Sequence, residues 1–270
     1  MSDTQGKYAK LKQILKELGS VVVGFSGGVD SSFLLKAAID TLGRDAVLAV
    51  TSNAETYPER ERLEAIEIAK EIGSQHFLIE TSELNIPGYA ENPTNRCYFC
   101  KQELFSHLIP LAKERGYSSV VFGAIADDLG DHRPGLQAAI DHGVRAPLLE
   151  AGLTKLEIRK LSRELSLTTW DKPSFACLSS RIPYGEKITL EKLSMVDQAE
   201  SFIMNLGFRQ VRVRQHDKMA RIEVSATDIP KLAGVSEIVV EKLKDIGYTY
   251  VTIDLQGYRS GSLNETLFTQ

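Results

Sequence analysis

The sequence of 270 residues is poor in cysteine, has no long apolar run and carries no surplus of basic charge. Its three cysteines are too few and too unevenly spaced for a disulfide scaffold, so we expect thiols, metal ligands or redox groups. No apolar stretch approaches the roughly 20 residues needed to cross a bilayer. The first residues, MSDTQGKYAK, lack the apolar segment of a signal peptide. These absences predict a cytoplasmic protein with no membrane partner.

The charge balance argues against a protein whose main ligand is nucleic acid. Lys and Arg together number 32 and Asp and Glu 36, which gives a formal net charge of −4. Proteins that bind a nucleic-acid backbone usually carry a basic surplus, so no nucleic-acid partner is expected. A hydrophobic content of 43% and a charged content of 25% are ordinary for a globular protein and exclude a disordered or low-complexity chain.

The first 170 residues alternate between short apolar strands and amphipathic helices. Strands are predicted at 21–25, 46–50, 76–79 and 119–123, and helices at 29–42, 58–72, 101–115 and from Thr154 onward. Repeated strand–helix units predict an α/β fold with a doubly wound, mostly parallel sheet. Ligands of such sheets bind beyond the carboxyl ends of the strands. Function is therefore expected in the loops at 24–32, 51–57, 123–133 and 171–185.

The pattern changes after about residue 185. Further elements are predicted as helices at 190–206 and 235–246 and strands at 211–214, 221–224 and 250–255. They indicate a smaller C-terminal α+β domain. We therefore predict a PP-loop ATP-binding, adenylating domain at 1–185 and a substrate-binding and oligomerisation domain at 186–270.

A turn with two glycines, FSGGVDSS at 25–32, follows the first predicted strand and opens a helix. Glycines let the backbone approach a ligand, and a helix N-terminus offers N–H groups to an anion. The carboxylate of Asp30 suits Mg²⁺. The turn is neither a Walker A loop nor a Gly-x-Gly-x-x-Gly motif. It resembles the PP-loop, Ser-Gly-Gly-x-Asp-Ser, of the ATP pyrophosphatase superfamily, whose members cleave ATP between its α and β phosphates.

The three cysteines predict a sulfur or metal centre. Cys97 and Cys100 form a C-x-x-C pair just before a predicted helix, and Cys177 lies far along the chain. The helix dipole and the flanking Arg96 and Lys101 favour thiolates. Three thiolates suit a [4Fe–4S] cluster with one open iron, or a zinc ion with an open position. A redox pair, sacrificial thiols and buried structural cysteines are the alternatives.

The chain as a whole resembles the LarE family, the ATP-dependent sulfur transferases of nickel-pincer-nucleotide cofactor synthesis. The residues that carry the resemblance are the PP-loop at 26–31, DHRPG at 131–135, SSRIPYG at 179–185, VRVR at 211–214 and GYRSG at 257–261. The resemblance implies that the carboxylates of pyridinium-3,5-biscarboxylic acid mononucleotide are adenylated and then converted to thiocarboxylates. Family members with a single cysteine at the position of Cys177 surrender its sulfur. Members with all three cysteines resemble cluster enzymes, which implies catalytic sulfur transfer.

The resemblance and the strand ends together assign candidate roles. Binding of ATP is assigned to Ser26, Gly27, Gly28, Asp30, Ser31, Ser52, Gly123, Asp128 and Arg133, with Asp30 also holding Mg²⁺. Binding of the substrate is assigned to Ser180, Arg212, Arg214 and Glu200. Sulfur chemistry is assigned to Cys177, Lys101 and Arg181, and the cluster to Cys97, Cys100 and Cys177. Exposed, solvated side chains are the alternative for each charged residue of the last two groups.

The implied cofactors are ATP, Mg²⁺ and the [4Fe–4S] cluster. The implied partners are the pyridinium mononucleotide, sulfide or another sulfur donor, other enzymes of nickel-pincer cofactor synthesis, and further copies of this chain in a homo-oligomer. Two other functions stay open. A tRNA-thiolating PP-loop enzyme predicts a basic groove, and a non-catalytic nucleotide-binding module predicts ATP binding without release of AMP and pyrophosphate.

Overall fold

The structure is a computed structural model that describes residues 3–130 and 134–267. The chain packs as two compact units. The first comprises Met1–Glu83 and Asn95–Phe175, and the second comprises Leu84–Thr94 and Ala176–Gln270. The second unit thus includes a short segment from the first half of the chain. The division of function between 1–185 and 186–270 stays a prediction.

Parallel strands form the sheet of the first unit. In the described residues they are β1 (Val21–Gly24), β2 (Val47–Asn53), β3 (Gln75–Glu80) and β4 (Ser119–Phe122). Their spatial order is β3-β2-β1-β4, with Val21 opposite both Val47 and Ser119. The chain therefore moves outward from β1 in one direction and returns to its other side at β4. This places the switch point, where ligands of open α/β sheets bind, at the carboxyl end of β1.

Helices cover both faces of this sheet. They are α1 (Asp3–Leu18), α2 (Val29–Leu42), α3 (Glu59–Ile72), α4 (Arg96–Glu114), α5 (Pro134–Asp141), α6 (Pro147–Glu150) and α7 (Lys155–Glu164). Val21 and Val23 belong to a buried cluster with α1, α2, α3 and α7, whereas Val22 belongs to a second cluster with α4 and α5. Successive side chains of a strand point to opposite faces. The predicted doubly wound α/β fold is confirmed.

The second unit contains a small mixed sheet. Its described elements are α8 (Leu190–Asn205), β5 (Val211–His216), β6 (Met219–Val224), α9 (Ile229–Gly234), α10 (Ser236–Ile246) and β7 (Tyr250–Ile253). β5 and β6 are antiparallel, and β6 and β7 are parallel. Val213 and Ile222 lie in the core with α8 and α10. Arg212, Arg214 and Glu223 alternate with core residues and so occupy the other face.

Two helices differ from the prediction. The helix predicted at 101–115 begins at Arg96, so Cys97 and Cys100 lie inside its first two turns and not before them. The prediction was wrong because the first buried apolar residue of α4 is Phe105, so no apolar periodicity marks the helix before that residue. α1 was not predicted because its buried residues begin only at Leu11. In the described part of the chain, no helix combines the length and apolarity needed to span a membrane.

Candidate active site

The Ser26–Gly28 turn leads from β1 into α2 and brings several backbones close together. Gly27 has a φ of +63°, and a Cβ there would lie 2.9 Å from the Cβ of Ala65. Gly123 follows β4, and a Cβ there would lie 3.2 Å from the backbone nitrogen of Ser31. The absence of side chains at these two positions lets α3 and β4 close around the turn.

Hydroxyl groups lie at the carboxyl ends of the strands, in the loops where function was predicted. Ser31 Oγ lies 3.1 Å from Ser26 Oγ and donates to the carbonyl of Gly28 at 3.2 Å. Ser52, near the end of β2, shares a short hydrogen bond with Thr81 just after β3. These side chains supply donors and acceptors at the edge of the sheet where a ligand is expected.

Asp30, in the first turn of α2, has one oxygen paired and one buried without a partner. Its Oδ2 accepts from Lys155 Nζ, whereas its Oδ1 has no hydrogen-bond partner among the described residues. Burial raises the pKa of this carboxyl group, Lys155 opposes the rise, and the charge of Asp128 adds to it. A buried carboxylate oxygen with no hydrogen-bond partner is donor chemistry that fits Mg²⁺.

Two cations and a tyrosine beside the turn were not predicted from the sequence. Lys155 begins α7 and pairs with Asp30. Lys172 is 9% exposed and donates to the carbonyl of Gly27 at 3.2 Å. The hydroxyl of Tyr57 donates to the carbonyl of Ser26 at 2.7 Å. Only their place in the chain could have indicated Tyr57 and Lys172, because they fall in the loops at 51–57 and 171–185, where function was expected.

The C-x-x-C pair lies on α4 of the first unit. Cys97 is exposed, and half-buried Cys100 donates through its Sγ to Glu83 Oε1 at 3.5 Å. All three cysteines of the chain are thiols. Among residues 3–130 and 134–267, no group of three or more His, Cys, Asp or Glu side chains is arranged to hold a metal ion. Cys97 and Cys100 belong to the first unit and Cys177 to the second, so a three-cysteine cluster stays a prediction.

Lys101 lies one residue beyond this pair, where α4 meets the start of α5. A Cβ at Gly135 would lie 2.9 Å from Lys101 Cγ and 3.5 Å from the carbonyl of Cys97. The beginning of α4, with Cys97 and Lys101, is thus in contact with the beginning of α5. Arg133, predicted at the rim of the ATP site, lies outside the described residues.

Arg181 and Glu200 form a buried pair in the second unit. Arg181 is 1% exposed and donates to both carboxylate oxygens of Glu200, at 2.8 and 2.7 Å. Its Nη1 donates to the carbonyl of Cys177 and to Ser180 Oγ, both at 2.9 Å. Glu200 also accepts from the backbone N–H of Val213 at 2.8 Å. The alternative of solvated side chains is wrong for both residues, which hold the segment that carries Cys177.

Arg214 makes a second buried pair on the outer face of β5. It donates to both carboxylate oxygens of Glu223, at 2.9 and 2.8 Å, and to the carbonyl of Ser180 at 2.9 Å. Glu223 was not predicted from the sequence as a site residue. The alternation on β6, where core Ile222 separates Arg221 from Glu223, could have indicated that Glu223 shares the face of Arg214.

Arg212 is the third buried arginine of this face. It is 4% exposed, and its guanidinium lies 5.3 Å from the ring centre of Tyr258. Burial and then the charge of Arg181 lower the pKa of Arg212 to about 10. A cation that is desolvated and faces another cation is stabilised when an anion binds. The cluster of Arg181, Arg212 and Arg214 therefore suits a phosphate group.

Comparison with known proteins decides the family. An uncharacterised protein of Synechocystis sp. is 45% identical over 265 residues, which cover 97% of this chain and 98% of that protein. The pyridinium-3,5-bisthiocarboxylic acid mononucleotide synthase of Lactiplantibacillus plantarum is 39% identical over 267 residues, which cover 99% of this chain and 97% of the synthase. This chain belongs to the LarE family.

A wider relationship covers only the PP-loop region of this LarE-family chain. The NAD synthase family model matches residues 5–96. An NH₃-dependent NAD⁺ synthetase of Methanopyrus kandleri is 34% identical over 86 residues, about 30% of each chain. Both findings support ATP as a substrate. The LarE-family chain is an enzyme, an ATP-dependent sulfurtransferase of the PP-loop ATP pyrophosphatase superfamily.

The structure brings most LarE-type site residues together within each unit. The β1–α2 turn and its neighbourhood contain Ser26, Gly27, Gly28, Asp30, Ser31, Gly123 and Asp128. In the second unit, Cys177, Ser180 and Glu200 lie with the arginine cluster of Arg181, Arg212 and Arg214. Their roles toward ATP and substrate stay predictions.

Proposed function

We propose that this LarE-family enzyme converts the carboxylates of pyridinium-3,5-biscarboxylic acid mononucleotide to thiocarboxylates for nickel-pincer cofactor synthesis, with one ATP consumed for each carboxylate. The observation that carries the proposal is the 39% identity, over 99% of this chain, to a synthase of the bisthiocarboxylic product. The buried arginine cluster supports it because a mononucleotide presents a phosphate.

The chemistry proceeds by activation and substitution. A carboxylate oxygen attacks the α-phosphorus of ATP, the bond to the bridging oxygen breaks, and pyrophosphate leaves. In the resulting acyl adenylate, a sulfur nucleophile attacks the carbonyl carbon and AMP departs with the former carboxylate oxygen. Activation is needed because a free carboxylate has no good leaving group, whereas the mixed anhydride has AMP.

Residues of the first unit are proposed to bind ATP. The turn residues Ser26, Gly27, Gly28 and Ser31 donate to the phosphates through backbone and hydroxyl groups. Asp30 would hold Mg²⁺, which would offset the charge of the pyrophosphate, and Asp128 belongs to the same ATP site. Ser52 and Gly123 are proposed to bind the adenosine, and Arg133, which is outside the described residues, is proposed to bind ATP at the rim of the same site.

Residues of the second unit are proposed to bind the mononucleotide. Arg212, Arg214 and Ser180 receive its phosphate. Arg181 and Glu200 are proposed to position these groups and the Cys177 segment, because Arg181 donates to Ser180 Oγ and to the carbonyl of Cys177, and Glu200 accepts from the N–H of Val213 between Arg212 and Arg214. Lys101 of the first unit is proposed to stabilise developing negative charge near the C-x-x-C pair.

The source of sulfur is the second part of the proposal. We propose that Cys97, Cys100 and Cys177 ligate a [4Fe–4S] cluster that is replenished by sulfide or another donor. Only the number and type of these side chains, and the C-x-x-C spacing at the start of a helix, support this. Anaerobic protein should then contain about four irons per chain, lost in Cys97→Ala, Cys100→Ala and Cys177→Ala. Absence of iron after reconstitution would leave Cys177 as a sacrificial donor, detectable by mass spectrometry as dehydroalanine.

The proposed function is tested by incubating the enzyme with ATP, Mg²⁺, sulfide and the pyridinium dicarboxylate. We expect thiocarboxylate, AMP and pyrophosphate, and no thiocarboxylate with Arg212→Gln at limiting substrate. Unmodified tRNA is the competing acceptor. Thionucleoside in tRNA with the dicarboxylate unchanged would contradict the proposal, as would ATP binding without AMP release.

A further inference from the structure

Two successive carbonyl groups of the PP-loop are held by side chains from elsewhere in the first unit. The hydroxyl of Tyr57 donates to the carbonyl of Ser26 at 2.7 Å. The ammonium of Lys172 donates to the carbonyl of Gly27 at 3.2 Å. The two donors come from loops after β2 and after α7, so the folded unit brings them to adjacent peptide groups.

These contacts determine the direction of two amide groups. A trans peptide group is planar, and its C=O and N–H point in opposite directions. Tyr57 therefore orients the N–H of Gly27, and Lys172 orients the N–H of Gly28, away from themselves. Among the hydrogen bonds of the described residues, neither N–H donates to a protein acceptor. Two oriented and unused amides next to the start of α2 suit an anion.

The contacts of Lys172 favour a role in holding the PP-loop and not in binding a phosphate directly. Its ammonium lies 2.8 Å from Glu61 and 3.0 Å from Glu64, both on α3. With two carboxylates around one cation, the group carries no net positive charge to offer a phosphate. Its backbone is held as well, since Arg159 donates to the carbonyl of Lys172 at 2.8 Å.

Tyr57 is held in a similar way. Its ring packs edge-on against Phe175, with ring centres 5.5 Å apart. Burial raises the pKa of Tyr57, so the hydroxyl stays protonated and remains a donor at every working pH.

We propose that Tyr57 and Lys172 are positioning residues that hold the amides of Gly27 and Gly28 toward the departing pyrophosphate of ATP. The inference rests on the proposed ATP site. Because the two carbonyls are fixed before ATP arrives, the amides need no reorganisation as charge develops on the leaving group. A cation at the carbonyl of Gly27 also polarises that peptide and strengthens its N–H as a donor.

The test compares Tyr57→Phe and Lys172→Met with wild type by calorimetric titration of ATP, pyrophosphate and AMP, each with Mg²⁺. We expect each variant to weaken binding of ATP and pyrophosphate about tenfold, the effect of one lost hydrogen bond, and to leave AMP binding unchanged. In turnover, KM for ATP should rise and Lys172→Arg should restore part of the loss.

Two variants serve as matched controls. Lys7→Met removes a lysine that bonds Glu157 at 2.9 Å, and Tyr248→Phe removes a buried hydroxyl bonded to Gln215. The proposal is overturned if Tyr57→Phe and Lys172→Met weaken ATP no more than these controls, or weaken AMP as much as pyrophosphate. If Lys172→Met does not fold, Tyr57→Phe decides alone. Titration needs no acceptor, so failure of the proposed thiolation would leave this result interpretable.

Discussion

The two units present different chemistry to a phosphate group. In the first unit the turn offers backbone amides and hydroxyls, while its nearest cations, Lys155 and Lys172, bond to Asp30 and to a carbonyl. In the second unit the donors are guanidinium groups, and Arg212 is desolvated beside another cation. Under the proposed function this contrast follows from the ligands. ATP arrives with Mg²⁺ and brings its own cation, whereas a mononucleotide phosphate needs charge from the protein.

The two units should also be sensitive to different kinds of substitution. The first unit depends on backbone conformation and close approach at Gly27 and Gly123. The second unit depends on charge balance, because Arg181 and Arg214 each hold a buried glutamate. An added methyl group should therefore destabilise the first unit, and the loss of a buried charge should destabilise the second.

The largest expected effect comes from Arg181→Met. It leaves Glu200 buried without its counter-ion, which should lower the free energy of unfolding by about 4 kcal/mol. Denaturant unfolding measures this. The double variant Arg181→Met, Glu200→Met should recover part of the loss, since no charge is left buried but the N–H of Val213 loses its acceptor. A loss below about 1 kcal/mol in the single variant would contradict the charge-balance account.

The pair of Arg181 and Glu200 also predicts that the free energy of unfolding falls at acid pH. Burial alone would raise the pKa of Glu200, but Arg181 and the hydrogen bonds of the carboxylate lower it overall. The stabilisation is therefore present above the ordinary glutamate pKa and is lost as pH falls through the lower folded value. The double variant should show a shallower loss of stability in that acid range, and equal acid limbs would argue against the pair as its cause.

Gly27→Ala should have the next largest effect. The positive φ costs an alanine roughly 1–2 kcal/mol, and crowding against Ala65 adds roughly 1–3 kcal/mol. Gly73→Ala is the control, because Gly73 is in the left-handed helical region with a φ of +82° and has nothing within 4 Å of an added Cβ. The difference between the two variants in unfolding experiments measures the close approach of Gly27 to Ala65. Equal losses would show that packing around the turn contributes nothing.

Lys155→Met should change stability by less than about 1 kcal/mol, since the ion pair is partly exposed. Its main effect is on pH dependence. Burial raises the pKa of Asp30 and Lys155 opposes that rise, so loss of Lys155 raises the pKa further. The acid limb of Mg²⁺-dependent ATP binding should move to higher pH. An unchanged limb, with Lys7→Met as control, would exclude Asp30 as the group that titrates.

The smallest stability effect is expected for Arg212→Met. Removal of a desolvated cation that faces another cation should change the free energy of unfolding by less than about 1 kcal/mol. Affinity for the mononucleotide should nevertheless fall at least tenfold, the effect of a lost charge-assisted hydrogen bond. Unfolding and substrate titration on the same sample separate the two effects. A large loss of stability would make Arg212 a structural residue like Arg181.

What could be predicted from the sequence was local. The turn at 25–32 is contiguous, so its residue types alone indicated strand, turn and helix. The outward face of β5 was readable because Arg212 and Arg214 alternate with buried valines. Cys97 and Cys100 were misplaced because the first turns of α4 contain no periodic apolar residue.

What could not be predicted depends on tertiary contacts. Lys155 lies 125 residues from Asp30, and Lys172 lies 145 residues from Gly27, so only the folded unit pairs them. Glu223 meets Arg214 because the register of β5 and β6 places Arg212 opposite Glu223 and Arg214 diagonal to it. The two-residue turn at Asp217 and Lys218 sets that register, and the predicted strands at 211–214 and 221–224 did not include this turn.

The central claim is that ATP activates a substrate carboxylate as an acyl adenylate before sulfur arrives. It is tested most directly with pyridinium dicarboxylate mononucleotide labelled with oxygen-18 in its carboxylates. Mass spectrometry of the products should find one label in the phosphate of each AMP, and one AMP for each thiocarboxylate formed. Unlabelled AMP, or ADP in place of AMP, would contradict the account.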